Sequence, residues 1–167
     1  MTAEEIRTYL TELNDELRLM DIKGEVSLYG GAVMCLAFNA RAATKDVDAI
    51  FHPASEIRVA AKRIAGRHGL PEDWLNDGVK GYLVEHDRRM LFNMPNLTVL
   101  IPEADYLLAM KALAARANTE DEEDVVTLIG ALNIKSPNEV FTIIEKYYPK
   151  GQIPIKTQYF IEGLFDL

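Results

Sequence analysis

Two carboxylates, Asp46 and Asp48, stand at i and i+2 in the run Thr44-Lys-Asp-Val-Asp-Ala-Ile-Phe51. On a β-strand such side chains share one side, roughly 6.5–7 Å apart. At that spacing both reach one Mg²⁺ or a pair of ions, and Mg²⁺ favours carboxylates combined with substrate phosphates. Thr44 has the same parity, so its hydroxyl faces the same side, while Val47, Ala49 and Phe51 face a core. Aspartate is depleted in strands, so two on one short strand ask for a reason. A pair of solvated strand-edge acids gives the same pattern.

Upstream, Gly30-Gly31 ends the run Leu28-Tyr29 and leads into Ala-Val-Met-Cys-Leu-Ala-Phe38. A strand that stops at two glycines and passes into a helix exposes backbone N–H groups that suit a phosphate. Glycine also removes side chains that would block the approach. The alternative is a plain strand–helix turn. A dinucleotide fingerprint is absent, because no third spaced glycine follows, and so is the Walker lysine pattern. Together the glycine turn and the acidic strand place a phosphate cradle beside a metal site, which points to a nucleoside triphosphate.

Several elements must hold these residues. Thr2 with Glu5 starts a helix that runs to about Met20, with Ile6, Leu10, Leu13 and Leu17 as its apolar stripe. Glu25–Tyr29 and Asp46–Phe51 read as strands around a helix from Ala32 to about Ala40. Pro53 and Ser55 open a further helix that ends near His68-Gly69. The segment Leu70–Gly78 reads as a short turn-rich helix or loop. Strands follow near Tyr82–Val84 and Leu97–Ile101, with another at Arg89–Phe92.

Beyond Pro102 the pattern is wholly helical: Glu103–Ala117, then Thr119 with Glu122 opening a helix to about Leu132. Ser136-Pro137-x-Glu139 caps a helix that ends at Tyr148-Pro149, and a last helix lies near Gln158–Phe165. Strands confined to residues 1–101 and helices over 102–167 predict an α+β class: a mixed-sheet core with a C-terminal helical region.

Composition narrows the partners. The 167 residues include 18 basic and 26 acidic side chains, a net charge of −8. That argues against a broad nucleic-acid surface, which needs many Lys and Arg contacts to phosphate. The single cysteine, Cys35, cannot form an internal disulfide. No apolar run approaches the ~18 residues of a membrane span, and no signal peptide is visible. The expectation is a cytoplasmic protein without a membrane partner.

The stretch Gly30-Gly31-Ala32 followed by Arg41-Ala-Ala-Thr44-Lys-Asp46-Val-Asp48 resembles the signature of minimal nucleotidyltransferases of the DNA polymerase β-like superfamily. More narrowly, the chain resembles bacterial nucleotidyltransferases related to the AbiEii toxin group. Gly69–Asp77, Tyr106–Arg116 with Asp121–Asp124, and Ile144–Pro149 carry that likeness through most of the sequence. The resemblance implies a nucleotidyltransferase-like mixed sheet flanked by helices. It implies Mg²⁺ on Asp46 and Asp48 and nucleotide phosphates at Gly30, Gly31 and Lys111, and Thr44, on the same side by strand parity, joins the nucleotide site. Its catalytic set is Asp46, Asp48, Lys111 and Asp124. The implied reaction moves a nucleoside monophosphate from a triphosphate to a hydroxyl of a protein, a tRNA or a small molecule. The alternative is a weakly active or inactive binding module, such as one component of a toxin–antitoxin pair with a protein partner.

The chain departs from that pattern in two places. Gly31 stands where many members have serine. A third carboxylate is not evident on Leu97–Ile101, and Glu85 and Asp87 are the nearest substitutes. Lys111, among Leu107, Leu108, Met110, Ala114 and Ala115, needs an acidic partner or a polyanion if buried. Phosphate and an ion pair with Asp124 both meet that need. Trp74, Leu75 and Asn76 read as a satellite apolar cluster or a pocket lining. His52, His68 and His86 lack metal-ligand spacing. Tyr147, Tyr148, Tyr159, Phe160 and Phe165 read as helix-packing residues.

Overall fold

Glu5 N donates to Thr2 Oγ1 at 3.2 Å and Thr2 N to Glu5 Oε1 at 3.1 Å, closing the capping box that starts α1, Ala3–Leu19. In the computed structural model, which describes residues 1–115, 119–149, 151 and 153–166, the chain is α+β. Among those residues it has a five-stranded mixed sheet and seven α-helices. They fall into two compact units, Met1–Leu83 with Arg88–Pro102, and Val84–Asp87 with Glu103–Leu167.

The first unit holds the sheet. β1, Gly24–Tyr29, lies at its centre. It pairs antiparallel with β2, Val47–His52, and parallel with β5, Leu97–Pro102. β3, Leu75–Asn76, adds parallel to β2, and β4, Arg88–Asn93, adds antiparallel to β5, giving the order β3-β2-β1-β5-β4. Val26, Leu28, Val47, Ala49, Leu97, Val99 and Ile101 are buried on one face. The stripe Ile6, Leu10, Leu13 and Leu17 of α1 joins them in the core. So do Ile57, Ala60 and Ile64 of α3, Ala54–His68. Each buried Leu or Ile contributes about 1.5–3 kcal/mol.

Charged groups fasten α1 to α3. Arg67 Nη1 meets Glu16 Oε1 at 2.7 Å and Arg63 Nη1 meets Glu16 Oε2 at 3.2 Å. The hydrogen bond from Arg67 outweighs burial and, with Arg63, holds the Glu16 carboxyl below its ordinary range. Trp74 is buried and donates Nε1–H to Ala61 O at 2.9 Å, with Tyr9 edge-on at 5.5 Å. Trp74 thus sits in an apolar cluster of the sheet unit.

The second unit is helical: α4, Ala104–Ala114; α5, Glu120–Ala131; α6, Pro137–Tyr147; α7, Ile155–Phe165. α4 packs against the other three. Ser136 and Glu139 form the expected box, with Glu139 N donating to Ser136 Oγ at 3.4 Å. Thr119 is the N-cap of α5 without a side-chain capping bond; the Glu122 N–H donates to its carbonyl oxygen at 3.1 Å. Tyr106 gathers His86, Tyr147 and Tyr148. His86 stacks on it at 3.8 Å, Tyr147 lies at 4.9 Å, and its hydroxyl is 3.3 Å from that of Tyr148. Tyr159 is 71 % exposed and does not share this packing.

Several expected boundaries move. The helix after the glycine pair, α2, spans Gly30–Leu36, starting earlier and ending sooner than Ala40. Asn39 follows with φ 51°, a left-handed conformation that a helix cannot continue. β2 begins at Val47, so Asp46 lies just before the strand. The strand expected at Tyr82–Val84 is absent. Gly78–Tyr82 forms a 3-10 helix, with Lys80 N donating to Asp77 O at 3.0 Å. Leu70–Gly78 supplies the short β3 within its turns. Ala117, the expected end of the helix from Glu103, and Arg116, the last residue of one similar stretch, lie outside the described residues.

Candidate functional site

The antiparallel register places Tyr29, the last residue of β1, opposite Asp48. The next residue, Gly30, therefore meets the Asp48 side chain. A Cβ on Gly30 would lie 2.6 Å from Asp48 Oδ2. Gly30 also has φ +62°, a backbone conformation that an L side chain strains. Two independent constraints thus demand glycine here, one conformational and one steric.

Gly31 is confined by the loop before β2. A Cβ on it would lie 2.5 Å from Thr44 Oγ1 and 2.8 Å from Arg41 Nη1. That loop is held from outside. The Met1 amine donates to Thr44 O at 2.7 Å, Thr44 N donates to Met1 O at 2.8 Å, and Thr2 bridges Ala43. Thr44 Oγ1 donates to the Asp46 carbonyl oxygen at 3.3 Å. Thr44, Asp46 and Asp48 are half-buried, while the intervening Lys45 is exposed and Val47 is buried. The chain bends at Lys45 and Asp46, and Lys45 is exposed where strand alternation would bury it with Val47 and Ala49, so the expected strand parity holds only from Val47 onward.

Gly30, Gly31, Thr44, Asp46 and Asp48 are therefore neighbours at one end of β1 and β2. Asn76 of β3 lies beside Asp48 in register, with its Oδ1 accepting from Gly78 N at 3.1 Å. α2 has only seven residues, so its contribution to binding an anion rests on individual N–H groups of its first turn.

Lys111 and Asp124 belong to the helical unit. Lys111 Nζ is 2.8 Å from Asp124 Oδ2 and 3.7 Å from Asp121 Oδ1. The residues Lys111 and Asp124 are 8 % and 1 % exposed. The lysine therefore already holds the acidic partner that its burial requires. Glu85 and Asp87, the substitutes considered for a third carboxylate, are exposed and lie outside any strand. Among the described residues, no group of three or more His, Cys, Asp or Glu side chains gathers as a metal site. One carboxylate, that of Asp48, stands against the glycine turn, and Asp46 lies two residues before it.

No family model, curated protein or solved structure matches this chain. No described helix is long and apolar enough to cross a membrane.

The structure adds Arg41 to the site, which the site assignment from sequence omitted. It was visible in the run Arg41-Ala-Ala-Thr44. Only the folding of that loop over Gly31 gives its guanidinium a place beside the turn.

Proposed function

We propose that the sheet unit is a Mg²⁺-dependent nucleotidyltransferase: an acceptor hydroxyl loses its proton and bonds to the α-phosphorus of a nucleoside triphosphate, the bond to the β-phosphate breaks, and pyrophosphate leaves. The observation that carries this reading is the packing of Asp48 over Gly30 and of Thr44 and Arg41 over Gly31. It gathers a carboxylate, a hydroxyl, a guanidinium and backbone N–H groups around one turn. The likeness of Gly30–Asp48 to the nucleotidyltransferase signature supports the same reading.

Asp46 and Asp48 would hold Mg²⁺ together with the triphosphate. When bound, Mg²⁺ lowers the pKa of the acceptor hydroxyl and offsets charge on the phosphates. The Gly30 and Gly31 N–H groups and the Arg41 guanidinium would donate to phosphate oxygens, where fixed donors stabilise developing charge. Thr44, tied to Met1 through its backbone, would fix how the loop meets the nucleotide. Lys111 is paired with Asp124 in the helical unit, so the proposal rests on the sheet unit.

The test is to incubate the purified chain with each labelled nucleoside triphosphate, Mg²⁺, and either lysate or tRNA. Label should move to an acceptor and fail to move with Asp48→Asn. Mg²⁺-dependent nucleotide binding without transfer would make the chain a binding module. Neither binding nor transfer would overturn the reading.

A further inference from the structure

Along the same sheet face, one step from Asp48, the sheet unit carries a groove of about 430 Å³. Ile50 links the two places. It shares Asp48's face of β2, roughly 6.5–7 Å further along, and it pairs in register with Ser27. Three cations line the groove, Arg58 of α3, Lys80 of the 3-10 helix and Arg88 of β4, against two carboxylates, Glu25 and Asp77. A positive excess is unexpected in a chain of net charge −8.

The internal bonds hold two of these cations in place. Arg88 Nη1 donates to Ser27 Oγ at 2.5 Å and to Glu25 Oε1 at 3.3 Å. Arg58 Nη2 donates to Asp77 Oδ2 at 2.6 Å. A guanidinium has more donors than these bonds use, so both arginines are positioned and still able to bind an anion. Arg58 also lies 5.3 Å from the centre of the Phe51 ring. It covers the aromatic face on which a nucleobase would otherwise stack.

We propose that this groove anchors a phosphate monoester carried by the acceptor, a proposal that rests on the nucleotidyltransferase reading. Three cationic side chains from three different elements line the groove, and after the two carboxylates bonded to the arginines are counted one positive charge is left for an anion. A planar carboxylate is satisfied by a single arginine, as Asp77 is by Arg58. The nucleotide has its own place at Gly30 and Gly31, so a second cationic site one strand step away serves a second anion. The acceptor would present its hydroxyl toward Asp46 and Asp48 while its phosphate stays in the groove.

The experiment is an NMR titration of the full chain with methyl phosphate, and separately with acetate, without nucleotide or Mg²⁺. Methyl phosphate should shift Ile50 and His52 saturably, and acetate should not. Arg88→Gln with Lys80→Gln should weaken the binding at least tenfold, while Asp46→Asn should leave it unchanged. Lys80→Gln alone, at an exposed position, should weaken it severalfold if Arg88→Gln disturbs β4. Shifts confined to Gly30 and Gly31, equal binding of acetate, or indifference to Lys80→Gln would each overturn the proposal. Because the titration needs no transfer, its failure is separable from failure of the transferase reading. Label transfer with no phosphate in the groove would remove the acceptor anchor alone.

Discussion

In the helical unit, Asp124 is 1 % exposed and meets Lys111 Nζ at 2.8 Å. In the sheet unit, Asp46 and Asp48 are half-buried beside a glycine turn. The contrast separates two uses of an aspartate. A charge removed from water must find its partner within the fold, and the pair then specifies packing. An acid that keeps part of its hydration can exchange water for a cation with little rearrangement. By this criterion the Lys111–Asp124 pair is a buried ion pair of the helical unit, whereas Asp46 and Asp48 keep part of their contact with solvent.

The largest expected effect tests the buried side. Asp124→Ala leaves the Lys111 ammonium buried with Asp121 at 3.7 Å as its remaining acid. The loss should be about 3–5 kcal/mol, read by denaturant unfolding of the helical signal. Replacing both partners, Lys111→Met with Asp124→Leu, should recover most of it. A loss under about 1 kcal/mol for Asp124→Ala would place the pair with exposed salt bridges and erase the contrast.

Gly30→Ala comes next and tests the other side. Left-handed backbone at a non-glycine residue costs about 1–3 kcal/mol, and the new methyl would also push Asp48 aside. Both stability and transfer should fall. Gly66→Ala is the control. Gly66 lies within α3, has no atom within 4 Å of an added Cβ, and does not have a left-handed φ. That change should stabilise by about 0.5–1 kcal/mol and leave transfer intact. Equal effects at both glycines would mean that the turn is not specially constrained.

These contrasts were partly readable in the residues. Both N-terminal capping boxes depend on four consecutive residues, so Thr2–Glu5 and Ser136–Glu139 announce their helices without help from the fold. The alternation within Val47–His52 is equally local, but it does not extend back to Thr44 and Asp46, where the chain bends. β3 is different: its two residues are a strand because β2 offers them pairing. Tyr82–Val84 has strand-forming side chains, but Gly78 and Gly81 precede it and the chain coils there instead. The register Tyr29 with Asp48, and the placement of Arg41 over Gly31, join residues far apart in sequence. No periodicity encodes them. The Lys111–Asp124 pair also requires two helices to meet, although burial of the lysine already demanded an anion.

Glu16 lies between the extremes and supplies the third prediction. Its side chain is 9 % exposed, but its partners Arg67 and Arg63 are 45 % and 56 % exposed. Solvent screening should limit the loss in Glu16→Gln to about 1 kcal/mol at neutral pH. The folded pKa is held below the ordinary carboxyl value of 4.5. The stabilisation is therefore complete above that value and is lost as pH falls through the lower folded one. Unfolding midpoints of wild type and variant should converge as the pH drops below 4.5. A gap that widens in acid would reverse the sign and refute the assignment.

Asp46→Asn should have the smallest effect on stability and is the sharpest test of the contrast. Asp46 precedes β2, is half-buried, and contributes its carbonyl oxygen rather than its carboxylate to the bond from Thr44. Asparagine has nearly the same shape, so stability should change by no more than about 0.5 kcal/mol. Transfer should still fall by at least about a hundredfold, because losing even an indirect metal partner costs 10–100-fold and this one is proposed as direct. Mg²⁺ with a nucleoside triphosphate should raise the unfolding midpoint of the wild type and not of the variant, since a ligand stabilises only the state that binds it. A large loss of stability with transfer preserved would give Asp46 the role here assigned to Asp124. A residue held for its ligand can be removed without cost to the fold, whereas a residue held for the fold cannot.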